Sequence, residues 1–395
     1  MNDPGPDITA DSINHTEPLF GGSCIVGFDG KRAVHNTTGL GGYSRYTIEA
    51  LDLECPNVQK RVYAAGGPGL MDGKAVSPNT IIIGPESRKP ASLWRVSGMG
   101  RQAAKDGCQV FHGLSNELPS DSWALPSVVT VHDVIWRRYP SDYKFIDRRI
   151  YDIKNGMSMR CADRIIAISE CTARDIQEDF NVSADKIDII YQGVDSRYRL
   201  STDGEVASLR SKYKLPERYI AAVGTVQGRK NQLLAVKALR DLPKDVGIII
   251  VGRRTDYART IDEYARQYGL TNRITWLSGI SFDELRAVYT GAFAASYPSR
   301  YEGFGLPVVE AIACGTPVIA ATGSCLEEAG GPGAFYVNPD DDEQFAHYAK
   351  TLLDDSALRE KMTATGAEYI KRFNTTQFAV KTMWSYARAI RNYEN

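Results

Sequence analysis

The stretch from Tyr297 to Ala311, Tyr-Pro-Ser-Arg-Tyr-Glu-Gly-Phe-Gly-Leu-Pro-Val-Val-Glu-Ala, constrains this chain more than any other. Its apolar lead-in from Ala292 to Tyr297 predicts a strand, and Leu306 to Cys314 predicts a helix. Between them Gly303 and Gly305 permit positive φ and close backbone approach, so a phosphate or a sugar can lie against main chain. The first helical turn adds unpaired N–H groups and a positive dipole end, which favour an anionic ligand. Glu302 and Glu310 flank the turn. As an acid and nucleophile of a retaining hydrolase they would need carboxyl groups about 5 to 5.5 Å apart. A turn and a helix do not enforce that spacing. The reading preferred here is that each carboxylate accepts a charge-assisted hydrogen bond from a sugar or ribose hydroxyl. A plain strand, turn and helix with two solvated glutamates is the ordinary alternative for a lone glutamate pair.

The string continues through Ala313-Cys314-Gly315-Thr316-Pro317-Val318-Ile319-Ala320. Taken whole, it resembles the donor-site signature of the retaining glycosyltransferases of family 4. The resemblance covers most of the chain after about residue 22. It implies the GT-B fold: two Rossmann-like, doubly wound α/β domains facing across a cleft, with a carboxyl-terminal helix that crosses back to the amino-terminal domain.

A length of 395 residues suits two or three domains, each with its own core. A formal net charge of −1 supplies no global field for nucleic acid, and no basic track runs along the chain. The 7 cysteines contain no Cys-x-x-Cys and leave one over in any complete pairing, which fits a reducing cytosol. Residues 1–20 read as a disordered tail without the basic and apolar regions of a secretory signal. No apolar run approaches the roughly 18 residues that span a bilayer, so any membrane contact is expected to be peripheral.

The first domain is expected over 21–200 together with 380–395. Cys24 to Phe28 reads as a strand, and Gly39-Leu40-Gly41-Gly42 follows as a loop feeding a helix that runs through Leu51. Ser44 stands where a dinucleotide fingerprint needs its third glycine, so that reading is weak. By the resemblance, Gly41 and Gly42 close over the donor. Ile81 to Ile83 and Gln109 to His112 read as strands, with one helix over Ser92 to Lys105. The β-branched run Val128 to Val131 predicts a strand covered on both faces, and His132 and Asp133 end it where an open α/β sheet places its ligands. The resemblance assigns His132 to the donor sugar, and Asp133 to fixing the loop or the imidazole.

From Trp136 to Lys154 aromatic and basic residues alternate, suiting either a peripheral membrane contact or a solvated helix with ion pairs. Ala162 to Ser169 gives a strand and then a helix start capped near Ser169, and Lys186 to Tyr191 one more strand. The polar stretch Ser196 to Leu215 reads as the interdomain linker.

The second domain is expected over 201–379. The strand Tyr219 to Val223 ends in Gly224, and the helix Gln232 to Arg240 begins just after Arg229 and Lys230. Two cations at a helix start oppose the dipole unless a polyanion binds, so they read as a diphosphate clamp. The family pattern Glu-Pro-Arg-Lys-Asn carries Gln227-Gly228 here in place of Glu-Pro, which leaves the cations in place. Val246 to Gly252, Arg273 to Leu277 and Thr316 to Ala320 are further strands, and Gly252 and Arg253 lie at a strand end, a weak pointer to the nucleobase. Asp340 to Asp342 read as a helix cap, and no metal is expected. Thr375 to Asn395 is the crossing-back helix.

By the resemblance, the expected activity is metal-independent transfer of a hexosyl unit, with retention, from a nucleotide diphosphate sugar to a glycan or lipid-linked acceptor of a surface polysaccharide; mannose from GDP-mannose is the expected donor and a UDP-hexose the alternative. It is placed in the cytoplasm or on the inner face of the plasma membrane. His132, Arg229, Lys230 and Glu302 are the expected catalytic set. Gly41, Gly42, Gly224, Gly303, Phe304, Gly305, Leu306 and Glu310, with the two cations, are expected to bind the donor, GDP- or UDP-linked. A sugar-nucleotide epimerase and a non-catalytic binding module remain the rivals.

Overall fold

The structure is a computed structural model that describes residues 24–71, 79–86 and 90–394. The tail expected over 1–20 lies outside the described residues. The chain divides into two compact units, Met1–Gly193 with Phe373–Asn395, and Val194–Arg372. These limits fall at 193/194 and 372/373, where sequence placed them at 200/201 and 379/380.

In the first unit β1 (Ile25–Asp29), β2 (Gln59–Tyr63), β3 (Thr80–Ile83), β4 (Val110–Gly113), β5 (Ser127–Val131), β6 (Arg164–Ala167) and β7 (Ile187–Ile189) form one sheet. Its order is β3-β2-β1-β4-β5-β6-β7, and every pairing is parallel. The order reverses direction at β1, so the sheet is doubly wound and its switch point lies between β1 and β4. All of β5 is buried, as its β-branched run predicts. The final helix, Thr375–Glu394, buries Phe378, Met383 and Tyr386 in the core that β1, β4 and the helix Gly39–Glu54 share. The crossing-back helix therefore belongs to the first unit.

In the second unit β8 (Arg218–Val223), β9 (Val246–Val251), β10 (Ile274–Leu277), β11 (Ala294–Tyr297), β12 (Val318–Ala321) and β13 (Ala334–Val337) pair in the order β10-β9-β8-β11-β12-β13. These pairings are parallel too, and the switch point lies between β8 and β11.

Four local readings need correction. The stretch assigned to a linker contains the helix Asp203–Tyr213, closed by a capping box between Thr202 and Glu205. It buries only Leu209 of its own residues, so its apolar period was too faint to see. Glu205 also pairs with Arg286, which holds this helix against Phe282–Thr290 inside the second unit. The single helix expected over Ser92 to Lys105 breaks at Gly98 into Ala91–Ser97 and Met99–Lys105. Gly41 and Gly42 lie not in a loop but in the first turn of the helix Gly39–Glu54. Finally, β2 and β13 gave no sequence signal. Lys60 sits fully buried in β2 because Asp52 lies 2.6 Å from its ammonium, and a buried lysine defeats a hydropathy pattern.

Candidate functional site

The second unit gathers its site at the carboxyl ends of β8 and β11, on either side of the switch point. After β8, Gly224 takes φ +137° and donates its N–H to Val251 O at 2.9 Å. Gly252 follows β9, and a Cβ there would fall 2.0 Å from Gly224 O. The two strand ends thus meet backbone to backbone, which only glycine at 252 allows.

The next turn, Gly228–Lys230, is a single 3-10 turn, and Asn231 closes it in the left-handed region at φ +55°. Asn231 Nδ2 donates to Pro298 O at 3.2 Å and to Pro339 O at 2.7 Å. Arg300 N donates to Arg229 O at 2.8 Å, and the Arg229 guanidinium donates to Tyr301 O. The cation turn is therefore bolted to the turn after β11 by main-chain contacts.

The charged groups meet on one oxygen. Glu302 Oε1 lies 2.9 Å from Arg229 Nη1 and 2.6 Å from Lys230 Nζ, and it accepts the Ser299 hydroxyl. Lys230 also donates to Tyr297 OH at the end of β11, with its ammonium 4.9 Å from the ring centroid. Burial pushes the Glu302 carboxyl up, but the charges of Lys230 and Arg229 outweigh it and hold the group below the usual carboxylate range. Glu302 stays ionised, and the trio carries one net positive charge.

The helix Leu306–Ala313 starts from Gly305 at φ +107°, with Pro307 in its first turn, where the missing N–H costs nothing. The positive φ at Gly305 favours glycine, and a Cβ there would also push against Leu326 Cδ2 at 2.7 Å. Phe304 is buried before it, and Cys325 Sγ contacts Glu302 O at 3.1 Å. On this helix Glu310 turns toward two tyrosines. Tyr289 OH donates to its Oε2 at 3.3 Å, and Tyr198 bonds to the same carboxyl group. Burial raises the Glu310 pKa to about 7, with the two phenols opposing.

Asp340, Asp341 and Asp342 are otherwise engaged. Asp341 caps the following helix by accepting from Gln344 N at 2.8 Å, Asp342 pairs with Arg240 at 2.8 Å, and Asp340 pairs with Arg300. Among the described residues no three side chains of the metal-binding types cluster.

In the first unit His132 follows β5 and is nearly buried. Its Nε2 lies 2.9 Å from Leu114 O, and a carbonyl only accepts, so the proton sits on Nε2 and Nδ1 is left as an acceptor. Its backbone N–H donates to Asn116 Oδ1 at 2.8 Å. Burial, eased by the Leu114 carbonyl, lowers the ring pKa to about 4, so the imidazole is neutral. Asp133 accepts from Ile135 N at 3.2 Å, which fixes the loop. Tyr43 packs edge-on to the His132 ring, 4.6 Å between centroids. Gly41, two residues earlier, is required by contact, since a Cβ there would fall 1.9 Å from Asn36 O, whereas Gly42 has nothing within 4 Å.

Sequence thus identified Arg229, Lys230, Glu302 and the glycine turn, and the fold brings them together. Sequence reasoning missed Tyr297, Ser299, Asn231, Tyr198 and Tyr289. Three of these lie inside or beside the motifs already singled out, so adjacency was the available signal. Tyr198 and Tyr289 carried none.

Residues 207–369 match the family model described as glycosyl transferases group 1, and residues 49–198 match that of glycosyltransferase family 4. An O-antigen chain mannosyltransferase of Salmonella typhimurium is 32% identical over 57% of this chain and 60% of its own length. O-antigen chain mannosyltransferase B of Escherichia coli is 30% identical over 70% of this chain and 74% of its own. Among solved structures, Anabaena HepE in complex with UDP and glucose superposes with a TM-score of 0.71 at 18% identity, over 90% of this chain and 97% of that one.

Proposed function

Because this chain belongs to the group 1 and family 4 glycosyltransferases, and folds as GT-B, we propose that it moves a mannosyl unit from GDP-mannose to a glycan or lipid-linked acceptor of a surface polysaccharide. The support for mannose is the pair of bacterial relatives named as O-antigen mannosyltransferases. The observation that carries the chemistry is the convergence of Arg229 and Lys230 on Glu302 Oε1, beside a helix that starts at a left-handed glycine.

In this reading the leaving diphosphate takes its hydrogen bonds from Arg229, Lys230 and the N–H groups of the first turn after Gly305. Charge that develops as the glycosidic bond breaks is met by cations already held in place, which costs no reorganisation. Metal has no part in it. Glu302 does two jobs: Oε1 aligns the cations, and Oε2 accepts from a sugar hydroxyl. Glu310 holds the ribose, its carboxyl leaving the two tyrosines for the ribose hydroxyls. His132 accepts at Nδ1 from a hydroxyl of the donor sugar. The acceptor hydroxyl attacks the anomeric carbon from the face the diphosphate leaves and passes its proton to the departing phosphate oxygen, so configuration is retained.

Purified protein incubated with GDP-mannose, or with UDP-hexoses as the competing arm, tests this by release of nucleotide diphosphate with and without acceptor. Release that depends on acceptor and prefers GDP-mannose supports the reading. Preference for a UDP-hexose replaces the donor, conversion of the sugar nucleotide without acceptor makes the protein an epimerase, and binding without turnover makes it a binding module.

A further inference from the structure

A chain of polar side chains crosses the core of the first unit. Tyr386 OH, on the last helix, lies 2.7 Å from His112 Nδ1 at the end of β4, and His112 Nε2 lies 2.8 Å from Thr130 Oγ1 in β5. Thr130 Oγ1 lies 3.2 Å from Tyr43 OH, on the helix Gly39–Glu54. Tyr386, His112 and Thr130 are wholly out of water, and Tyr43 is 2% exposed. Burial, with the nearby His132 ring adding to it, lowers the His112 pKa to about 3. The imidazole is therefore neutral, and one of its nitrogens donates while the other accepts.

These groups stand where the sequence pattern calls for apolar ones. Val129 and Val131 pack on one face of β5 and Val128 on the other, so Thr130 falls on the side of Val128, within the core that holds Tyr43, Phe378 and Tyr386. Valine and phenylalanine would fill the places of Thr130 and Tyr386 at nearly the same shape without desolvating a hydroxyl. What a satisfied buried chain adds over apolar packing is a single arrangement of its members. Its last member is the one that matters, because the Tyr43 ring meets the His132 ring edge-on, 4.6 Å between centroids. The Leu114 carbonyl holds the His132 imidazole only at Nε2, 2.9 Å away. A ring held at one corner still swings about it, and the edge of Tyr43 blocks that swing. Tyr43 also follows Gly42 directly, at the end of the first turn of its helix.

We propose that Tyr386, His112 and Thr130 are positioning residues for the donor site: acting through Tyr43, they fix the plane of the His132 imidazole and so the direction in which its Nδ1 accepts. The last helix is then part of the precision of the site as well as of the core. The inference rests on the assignment of His132 to the donor sugar and goes beyond it, since none of the three residues touches the donor.

The test pairs Thr130→Val, which removes the hydroxyl at nearly constant shape, with Thr130→Ser, which keeps it. Misplacement of a reacting group by a fraction of an ångström should lower kcat per folded molecule about tenfold or more in Thr130→Val, with Thr130→Ser within about twofold of the unaltered chain. The donor KM should stay within about twofold in both, because the diphosphate and ribose contacts dominate binding of the ground state. In a His132→Ala background Thr130→Val should cost less than about twofold more, since the two changes act on one interaction. An equal loss in both backgrounds would overturn the proposal. A second readout needs no donor. The chain has 5 histidines, so the ring signal of His132 in histidine-labelled protein can be identified by its loss in His132→Ala. That signal should shift in Thr130→Val and in Tyr386→Phe, the milder change, and stay in place in Thr130→Ser. An unmoved His132 signal in both of the first two variants would also overturn the proposal, whether or not the protein transfers sugar. Full turnover of His132→Ala would instead remove the donor-sugar assignment, and with it the purpose given to the chain.

Discussion

Lys230 Nζ lies 2.6 Å from Glu302 Oε1, with both side chains largely withdrawn from water, although 72 positions of chain separate the residues. The pair is assembled from two βα turns that meet only because β8 and β11 are neighbours in the sheet. A largely buried ion pair of this kind is costly to break from one side, because the partner is left desolvated and unpaired. It is also the group of charges that the proposed reaction uses.

Lys230→Ala should lower kcat about 10²- to 10³-fold, the effect of removing one preorganised charge donor from a transition state. Steady-state release of nucleotide diphosphate measures it. Turnover within a few-fold of the unaltered enzyme would take Lys230 out of the mechanism.

Glu302 sets an acid limb of stability. Its folded pKa is held below the usual carboxylate range, so its contribution is present above its unfolded pKa and lost as pH falls through the lower folded value. Denaturant midpoints measured on the acid side should therefore fall less steeply in Glu302→Gln than in the unaltered chain. Parallel acid limbs in the two proteins would contradict the ion pair.

Glu310 acts in the opposite direction. With its folded pKa raised to about 7, the protonated carboxyl is favoured in the folded state, and stability declines as pH rises from the unfolded value through about 7. The decline is at most about 3 kcal/mol by the linkage relation, and less in so far as water reaches the group. Glu310→Gln should flatten that slope. If the ionised carboxylate grips the ribose, the donor KM should also rise below this pH, and a KM indifferent to pH between about 5 and 9 would argue against that role.

Gly41→Ala and Gly42→Ala should separate packing from function. At Gly41 the new methyl collides with Asn36 O, so about 2 kcal/mol or more of stability should be lost. At Gly42 nothing lies within 4 Å, and alanine in a helix should be neutral or stabilise by about 0.5 to 1 kcal/mol. A drop in kcat/KM for Gly42→Ala without loss of stability would identify close approach of the donor there. Full activity would restrict Gly42 to a solvated turn.

Tyr386→Phe tests the return of the last helix. Its hydroxyl lies 2.7 Å from His112 Nδ1, His112 Nε2 lies 2.8 Å from Thr130 Oγ1, and Thr130 Oγ1 lies 3.2 Å from Tyr43 OH, all out of solvent. Removing the hydroxyl leaves a buried imidazole nitrogen short of a partner, which should cost about 1 to 3 kcal/mol in equilibrium unfolding. An unchanged midpoint would mean that the helix is held by apolar packing alone.

Much of this could be read in the chain before folding. Val128 to Val131 and Val246 to Val251 are short β-branched runs of the kind a doubly covered parallel strand carries, and both are strands buried throughout. Ser169 caps its helix by accepting from Thr172 N, and Asp341 does the same from Gln344 N, because an N-cap is a local bond between near neighbours. The linker was misread although the helix Asp203–Tyr213 carries a local capping box, because it buries only Leu209 and docks through Glu205 reaching Arg286, a partner far along the chain.

What the residues determined alone had a short reach: the period of most strands, the caps at Ser169 and Asp341, the glycine that starts the helix at Leu306, and the presence of two cations beside a second helix. Tertiary structure decided which charges share an oxygen, which nitrogen of His132 holds its proton, and that Glu310 faces two tyrosines. These outcomes depend on desolvation and on partners supplied by other strands, and the order of strands in a sheet is written in no local stretch of the chain.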